Sequence, residues 1–201
     1  MIANIINNFD FTILEFWHNF ALNTNNVFLP IIKFISFLGK NGWFFIFLAI
    51  MLIGIKNTRK IGITMIFAMI LGFLFTNVIL KNIIARLRPY EYMEYIEWWN
   101  YVGNALESDY SFPSGHVTVT MATMMGIFLN TNKKYSWMLF ILVVFMGISR
   151  NYLMVHFPSD VIGGVLSGGL AGVAGYIIVD KIYNYKGFEK DSLIIKILEG
   201  N

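Results

Sequence analysis

Ser149-Arg150-Asn151-Tyr152-Leu153-Met154-Val155-His156-Phe157-Pro158-Ser159-Asp160 joins two long apolar segments and sets an arginine, a histidine and an aspartate in one short passage. Such side chains at a membrane boundary are costly and need partners. Matching pieces stand at two other segment ends. Lys81 to Pro89 carries Lys81, Arg88 and Pro89, and Pro113-Ser114-Gly115-His116 opens a later apolar segment.

Hydrophobic residues make up 57% of the 201 positions and charged residues 13%, against about a quarter charged in a soluble domain. Uncharged runs decide the class: Asn41–Ile55, Ile61–Leu80, Tyr110–Asn132, Tyr135–Ser149 and Val161–Val179. A helical span needs roughly 20 apolar residues, with about 17 as a lower limit. Three runs reach that length, and lysine or arginine at the ends of the other two can snorkel and lengthen them. The expected fold class is all-α. It is a polytopic membrane helical bundle with five clear transmembrane helices, plus N-terminal interfacial helices or a sixth broken span. With no cysteine, disulfides and thiolate metal sites are excluded, and a net charge of +3 does not point to nucleic acid. Met1–Asp10 lacks a basic start and a small-residue cleavage site, so no cleaved signal peptide is expected there.

Phe9, Ile13, Phe16 or Trp17, and Phe20 recur at helical spacing with Asp10, Glu15 and Asn19 elsewhere around the helix. That pattern suits a helix lying in the interface plane. After the polar run Asn23–Asn26 a second apolar stretch, Val27–Leu38, is interrupted by Lys33. Residues 1–40 are therefore read as interfacial helices, 41–183 as the transmembrane domain and 184–201 as a cytoplasmic tail. The helix of the second span is expected to continue through Lys81–Leu87 until Arg88 and Pro89 stop it. Residues 90–112 form one long loop with Glu91, Glu94, Glu97, Glu107 and Asp109, no lysine or arginine, and six aromatic rings between Tyr90 and Tyr101. Such rings suit a belt at the headgroup level. Gly164, Gly168 and Gly172 recur every four residues and mark a close-packing seam.

Lysine and arginine in the loops set the orientation. Lys56, Arg59 and Lys60, then Lys133 and Lys134, then Lys181, Lys186 and Lys190 fall on one side. The acidic loop and all three clusters fall on the other, the extracytoplasmic face of the cell membrane, with the C-terminus cytoplasmic.

Lys81 and Arg88 are seven residues apart, about two helical turns, and so share a helix face. Arg86 lies off that face and reads as a snorkelling anchor. Proline suits a first helical turn, whose free N–H groups make an anion site. Ser114 can add a hydroxyl there and Gly115 an unobstructed amide. A helix cap with an incidental histidine explains the tetrapeptide equally well. His156 and Asp160, four apart, can meet across one turn. A carboxylate on one imidazole nitrogen leaves the other free to attack, and a structural pair capping the last span is the equal alternative. A metal site of His116, His156 and Asp160 also has the right ligand set, but Lys81, Arg88 and Arg150 repel a divalent metal and attract a phosphoryl group. Taken together, the clusters form one phosphate-binding site with His156 aimed at phosphorus.

These residues resemble the three-part motif of the type 2 phosphatidic acid phosphatase superfamily, which includes glucose-6-phosphatase and the vanadium haloperoxidases. The pattern is a lysine, six residues and Arg-Pro; then Pro-Ser-Gly-His; then Ser-Arg, five residues, His, three residues and Asp. Lys81 with Arg88-Pro89, Pro113 to His116, and Ser149-Arg150 with His156 and Asp160 match every position. The likeness covers residues from about 40 to 180. Membrane members often have six spans, whereas five are clear here.

The resemblance implies a catalytic set of His156, His116 and Asp160. His156 is the nucleophile of a phosphohistidine intermediate and Asp160 orients it. His116 protonates the leaving oxygen and then activates water. Lys81, Arg88, Arg150, Ser114 and the Gly115 amide hold the phosphoryl oxygens. It implies neither a metal nor another cofactor. The substrate is then a lipid phosphate held by the bilayer: undecaprenyl diphosphate first, then phosphatidylglycerol phosphate or phosphatidic acid. A lipid phosphotransferase using the same site, and a non-enzymatic anion channel or transporter using the cations as a filter, are the alternatives. Vanadate, a phosphorane mimic, is expected to inhibit. The sequence does not speak to oligomeric state.

Overall fold

A computed structural model describes residues 2–185 of the chain. The expected tail at 184–201, with Lys186 and Lys190, lies almost entirely outside the described residues. All regular structure among the described residues is helical. Helix α1 (Ile2–Asn23) turns at Asn25 and Asn26, both in left-handed backbone, into α2 (Leu29–Gly39). A second break at Asn41 and Gly42, again with positive φ, leads into α3 (Trp43–Gly54). Helix α4 (Arg59–Phe73) runs on through a π-helical stretch, Leu74–Leu80, into the short α5 (Lys81–Ile84). A helical turn α6 (Ile96–Tyr101) sits inside the long acidic loop. Then come α7 (Gly115–Asn130), α8 (Lys133–Ser136), α9 (Phe140–Tyr152) and α10 (Pro158–Asn184).

Among the described residues, three stretches are long and apolar enough to cross a membrane: Leu29–Gly54, Arg59–Glu91 and Pro158–Asn184. The first runs across residue 40. Helices α7 and α9 are shorter than a full span, although the helical path is unbroken from Lys133 to Tyr152. Large apolar side chains such as Phe34, Trp43, Phe47, Val144, Leu166 and Leu170 are exposed on the outside of the bundle. A continuous apolar exterior of this kind suits lipid contact.

The centre of the bundle is α7, packed on α4, α9 and α10. Phe45, Ala49, Met65, Val117, Val143 and Met146 bring α3, α4, α7 and α9 into one core. The glycines of α10 let α7 come close, as the sequence expects. A Cβ on Gly168 would stand 2.5 Å from the Thr118 carbonyl oxygen, and one on Gly164 2.8 Å from that of Ser114. At the opposite end from the clusters, Lys60 pairs with Asp180 at 2.6 Å, so the start of α4 and the end of α10 share a face.

Of the loop aromatics, Tyr95 is buried, and Trp98 and Trp99 pack with Trp17, Tyr152 and Phe157 in a second core beneath α1, while Tyr92 and Tyr101 stay exposed. The His18 ring stacks on Trp98 at 4.7 Å. Helix α1 supplies an apolar face for the packed rings of this loop.

Candidate active site

The three clusters converge, though by a different route from the one the spacing suggests. The π-helical stretch adds a residue to its turn, and the Lys81 amide donates to the Thr76 carbonyl. Single π turns re-aim the side chains that follow them and recur at functional sites. The helix does not continue to Arg88. It ends at Ala85, whose φ of 47° is left-handed, a conformation costing about 1–2 kcal/mol for a residue with a Cβ. Arg88 therefore does not share a helix face with Lys81. It arrives on an extended segment, secured where the Ser111 amide donates to the Arg86 carbonyl at 2.8 Å.

Lys81, Arg88, Ser114, Arg150, His156 and Asp160 are all buried, and His116 is partly buried. A cavity of about 680 Å³ has Lys81, Arg88, Gly115, His116 and His156 on its wall, with Glu107 and Asp109 beside them. The remaining wall is largely apolar, with Trp43, Ile46, Ile66, Met69, Ile70 and Phe73. Arg150, Ser114 and Asp160 stand behind this surface. Helix α2 comes close enough that a Cβ on Gly39 would meet His116 Cδ2 at 2.9 Å.

Two acids of the loop hold the cations. Asp109 accepts from Lys81 Nζ at 2.7 Å and from Arg88 Nη2 at 2.5 Å. Glu107 accepts from Arg150 Nη2, whose other terminal nitrogen donates to Ser36. Burial raises the affinity of Asp109 for its proton, but Lys81 and Arg88 outweigh it and hold the carboxyl below its usual range. These carboxylates sit where an anion would.

Among the described residues, four buried side-chain atoms lack a hydrogen-bond partner, and two of them are Ser114 Oγ and Arg150 Nε. Ser114 stands at the N-cap position of α7 yet makes no side-chain cap bond, although serine there ordinarily does. Buried polar groups are nearly always satisfied, so both atoms are available for a ligand oxygen. The simple helix-cap account of Pro113–His116 therefore fails for the serine.

His156 lies in the tight loop between α9 and α10, fixed where Asn151 Nδ2 donates to its carbonyl at 3.0 Å. Its Nε2 is 3.3 Å from Arg88 Nη1. A guanidinium only donates, so Nε2 accepts and the proton of the neutral ring is on Nδ1. Nδ1 stands 3.6 Å from Asp160 Oδ2, with Ser111 Oγ touching both: 3.4 Å from Nδ1 and 2.5 Å from Oδ2. Asp160 Oδ2 also accepts from the Phe157 amide at 2.8 Å, which caps α10. Asp160 thus caps α10 and also lies beside the imidazole. Burial, then Arg88, Arg150 and Lys81, push the His156 imidazole well below its ordinary pKa.

Arg86 is not a snorkelling anchor. Its guanidinium bridges Asp160 Oδ1 at 2.7 Å and Asp10 Oδ2 at 2.7 Å, across the face of the Phe157 ring. Helical spacing could not reveal this, because the helix has already ended. Glu107, Asp109 and Ser111 join the site without a motif to mark them; five acids and no base in a loop beside a cationic cluster is the signal for the first two.

A helical bundle with membrane-length apolar helices thus encloses a buried cationic cup with two histidines beside a largely apolar cavity. The chain belongs to the PAP2 superfamily, whose family model matches residues 61–184. It is 34% identical over 135 residues to an undecaprenyl-diphosphatase of Sulfolobus acidocaldarius, a match spanning 66% of this chain and 63% of that protein, just under two thirds of its length. A lipid A 4'-phosphatase of Porphyromonas gingivalis is 28% identical over 182 residues, 86% of this chain and 75% of the other. The crystal structure of a PAP2-type phosphatidylglycerolphosphate phosphatase from Bacillus subtilis superposes with a TM-score of 0.67 at 25% identity, over 91% of this chain and 90% of that one.

Proposed function

We propose that the chain is a metal-independent phosphatase that removes the terminal phosphate of a membrane lipid phosphate or diphosphate. The observation that carries this reading is the mixed lining of the cavity, which joins Lys81, Arg88 and two histidines to a larger apolar surface. A phosphate with a hydrocarbon tail fits both parts, whereas a water-soluble phosphate ester leaves the apolar surface unused.

In this reading the phosphoryl group displaces Asp109 and Glu107 from Lys81, Arg88 and Arg150, and Ser114 Oγ and Arg150 Nε gain partners. Nε2 of His156 attacks phosphorus and the bond to the lipid oxygen breaks, with His116 giving that oxygen its proton. His116 then takes a proton from water, the resulting hydroxide attacks the phosphohistidine, and the P–N bond breaks to release inorganic phosphate. Each charge-stabilising group of such a cup is worth ~10²–10³ in rate. Undecaprenyl diphosphate is the favoured substrate, ahead of phosphatidylglycerol phosphate and phosphatidic acid, and the names of the relatives support this order by analogy.

The membrane arrangement that goes with this reading has five spans, formed by α3, α4–α5, α7, the run ending in α9, and α10, with α1 and α2 as the N-terminal unit. The site faces away from the cytoplasm. The basic ends at Lys60, Lys133, Lys134 and Lys181 support that orientation.

The test is a phosphate-release panel in detergent over those lipids, lipid A and a soluble monoester, with wild type and His156→Ala. Release from lipid phosphates without an added acceptor, lost in His156→Ala, is the expected result. Dependence on an acceptor would favour a transferase. Anion flux that survives His156→Ala would favour a channel.

A further inference from the structure

Asp10 lies on α1, far outside the family match, yet it is 1% exposed. It accepts from the Ser159 amide at 2.8 Å, from Ser159 Oγ at 2.6 Å and from Arg86 Nη2 at 2.7 Å. Arg86 passes the contact on to Asp160 Oδ1, and Asp160 reaches Nδ1 of His156 with Ser111. A continuous chain of polar groups thus runs from the N-terminal helix to the histidine. We propose that Asp10 is a positioning residue for His156, acting through Arg86 and Asp160 to set the charge behind the imidazole. This proposal rests on the reading of His156 as the nucleophile.

The physical reason is charge balance in a poorly hydrated place. Arg86 alone would draw the Asp160 carboxylate to itself and leave little negative potential for the imidazole. With Asp10 on its other side, the guanidinium is shared between two carboxylates, and the trio carries one net negative charge. That charge favours the cationic ring formed when His156 becomes phosphorylated. Coupled buried networks of this kind act beyond their pairwise parts. The other groups that face His156 are cationic or neutral: Arg88 on the extended segment, Lys81 on α5, Arg150 on α9, and His116 on α7. Glu107 and Asp109 lie on the loop side of those cations. The Asp10–Arg86–Asp160 trio therefore supplies the negative potential on the Nδ1 side.

Three histidines are present, so the His156 resonance can be assigned by its loss in His156→Gln and titrated by NMR in detergent. Asp10→Asn removes a negative charge, so its midpoint should move to lower pH. Arg86→Gln removes a positive charge and should move it to higher pH. In steady state, Asp10→Asn should lower kcat roughly tenfold, the low end of what outer partners of a histidine contribute at metal sites. KM should change little, and Asp10→Glu should restore most of the rate. An unmoved midpoint in Asp10→Asn, with a lowered melting temperature alone, would show that Asp10 merely clamps α1 to α10 and overturn the proposal. If Asp10→Asn does not fold, Asp10→Ser, which also removes the charge, takes its place with the same expected and contrary results. The titration needs no turnover, so a wild type without hydrolytic activity would sink the phosphatase reading and leave this test standing.

Discussion

Asp160 reaches His156 with the help of Ser111: the carboxylate is 3.6 Å from Nδ1, and the serine hydroxyl is 2.5 Å from that same carboxylate oxygen. The pair is too far apart for a strong direct hydrogen bond. Ser111→Ala should therefore lower kcat, by roughly tenfold, and leave KM within about twofold. Asp160→Asn should cost more, because the wrong tautomer of the ring is then favoured, as for a triad aspartate. Steady-state kinetics on both variants checks this. An unchanged Ser111→Ala enzyme would mean that the direct contact suffices.

A nucleophilic imidazole must be unprotonated. Burial, with Arg88, Arg150 and Lys81 nearby, pushes His156 well below its ordinary value, which is about 6.5 for a free histidine. The acid limb of kcat/KM, corrected for the ionisation of the substrate phosphate, should thus fall below pH ~6.5. A limb at or above that value contradicts the cationic surroundings described for the ring.

Asp109 occupies Lys81 and Arg88 as a built-in counter-anion, with contacts of 2.7 and 2.5 Å. Removing its charge frees both cations. Asp109→Asn should bind inorganic phosphate and vanadate more tightly, by roughly 5- to 30-fold if about 1–2 kcal/mol of competition is lost. Inhibition constants measured against one lipid substrate check it. Weaker inhibition would show that Asp109 holds the cations in place and does not compete for them.

Much of this site is readable from the sequence, because charge is rare among apolar runs and each charged residue demands a reason. Lys81, Arg88, His116, Arg150, His156 and Asp160 stand out on that ground, and Ser114 through its place in Pro-Ser-Gly-His at a helix start. Arg86 is misread because its partner Asp10 is distant in sequence, and amphipathic spacing says nothing of a contact between α1 and the end of α5. The route to Arg88 is misread because Ala85 carries no turn signal, yet adopts a left-handed conformation. The five apolar runs mark the helical segments, but α7 and α9 are shorter than their runs. Part of each run lies outside the α-helix, on the irregular stretch Tyr110–Ser114 before α7 and on the 3₁₀-helical turn Trp137–Leu139 before α9. Part of the aromatic loop packs inward against a matching face of α1, which composition does not encode.

The glycine seam should prove unforgiving. A Cβ at position 168 would stand 2.5 Å from the Thr118 carbonyl oxygen, so Gly168→Val forces α7 and α10 apart. A large loss of thermal stability in detergent is expected, since overpacking a close seam costs ~1–3 kcal/mol or more. Gly164→Ala presses on the Ser114 carbonyl and should lower activity by moving the cup. Thermal unfolding and kinetics on the two variants separate these effects.

The central claim is a covalent bond to one nitrogen. Rapid acid-free quenching with a ³²P-labelled lipid phosphate should trap a phosphoprotein that is stable to alkali and labile to acid, with the label on His156. The label should be absent in His156→Ala. Phosphate release by the wild type without a labelled protein, or a label that persists in His156→Ala, would contradict the account.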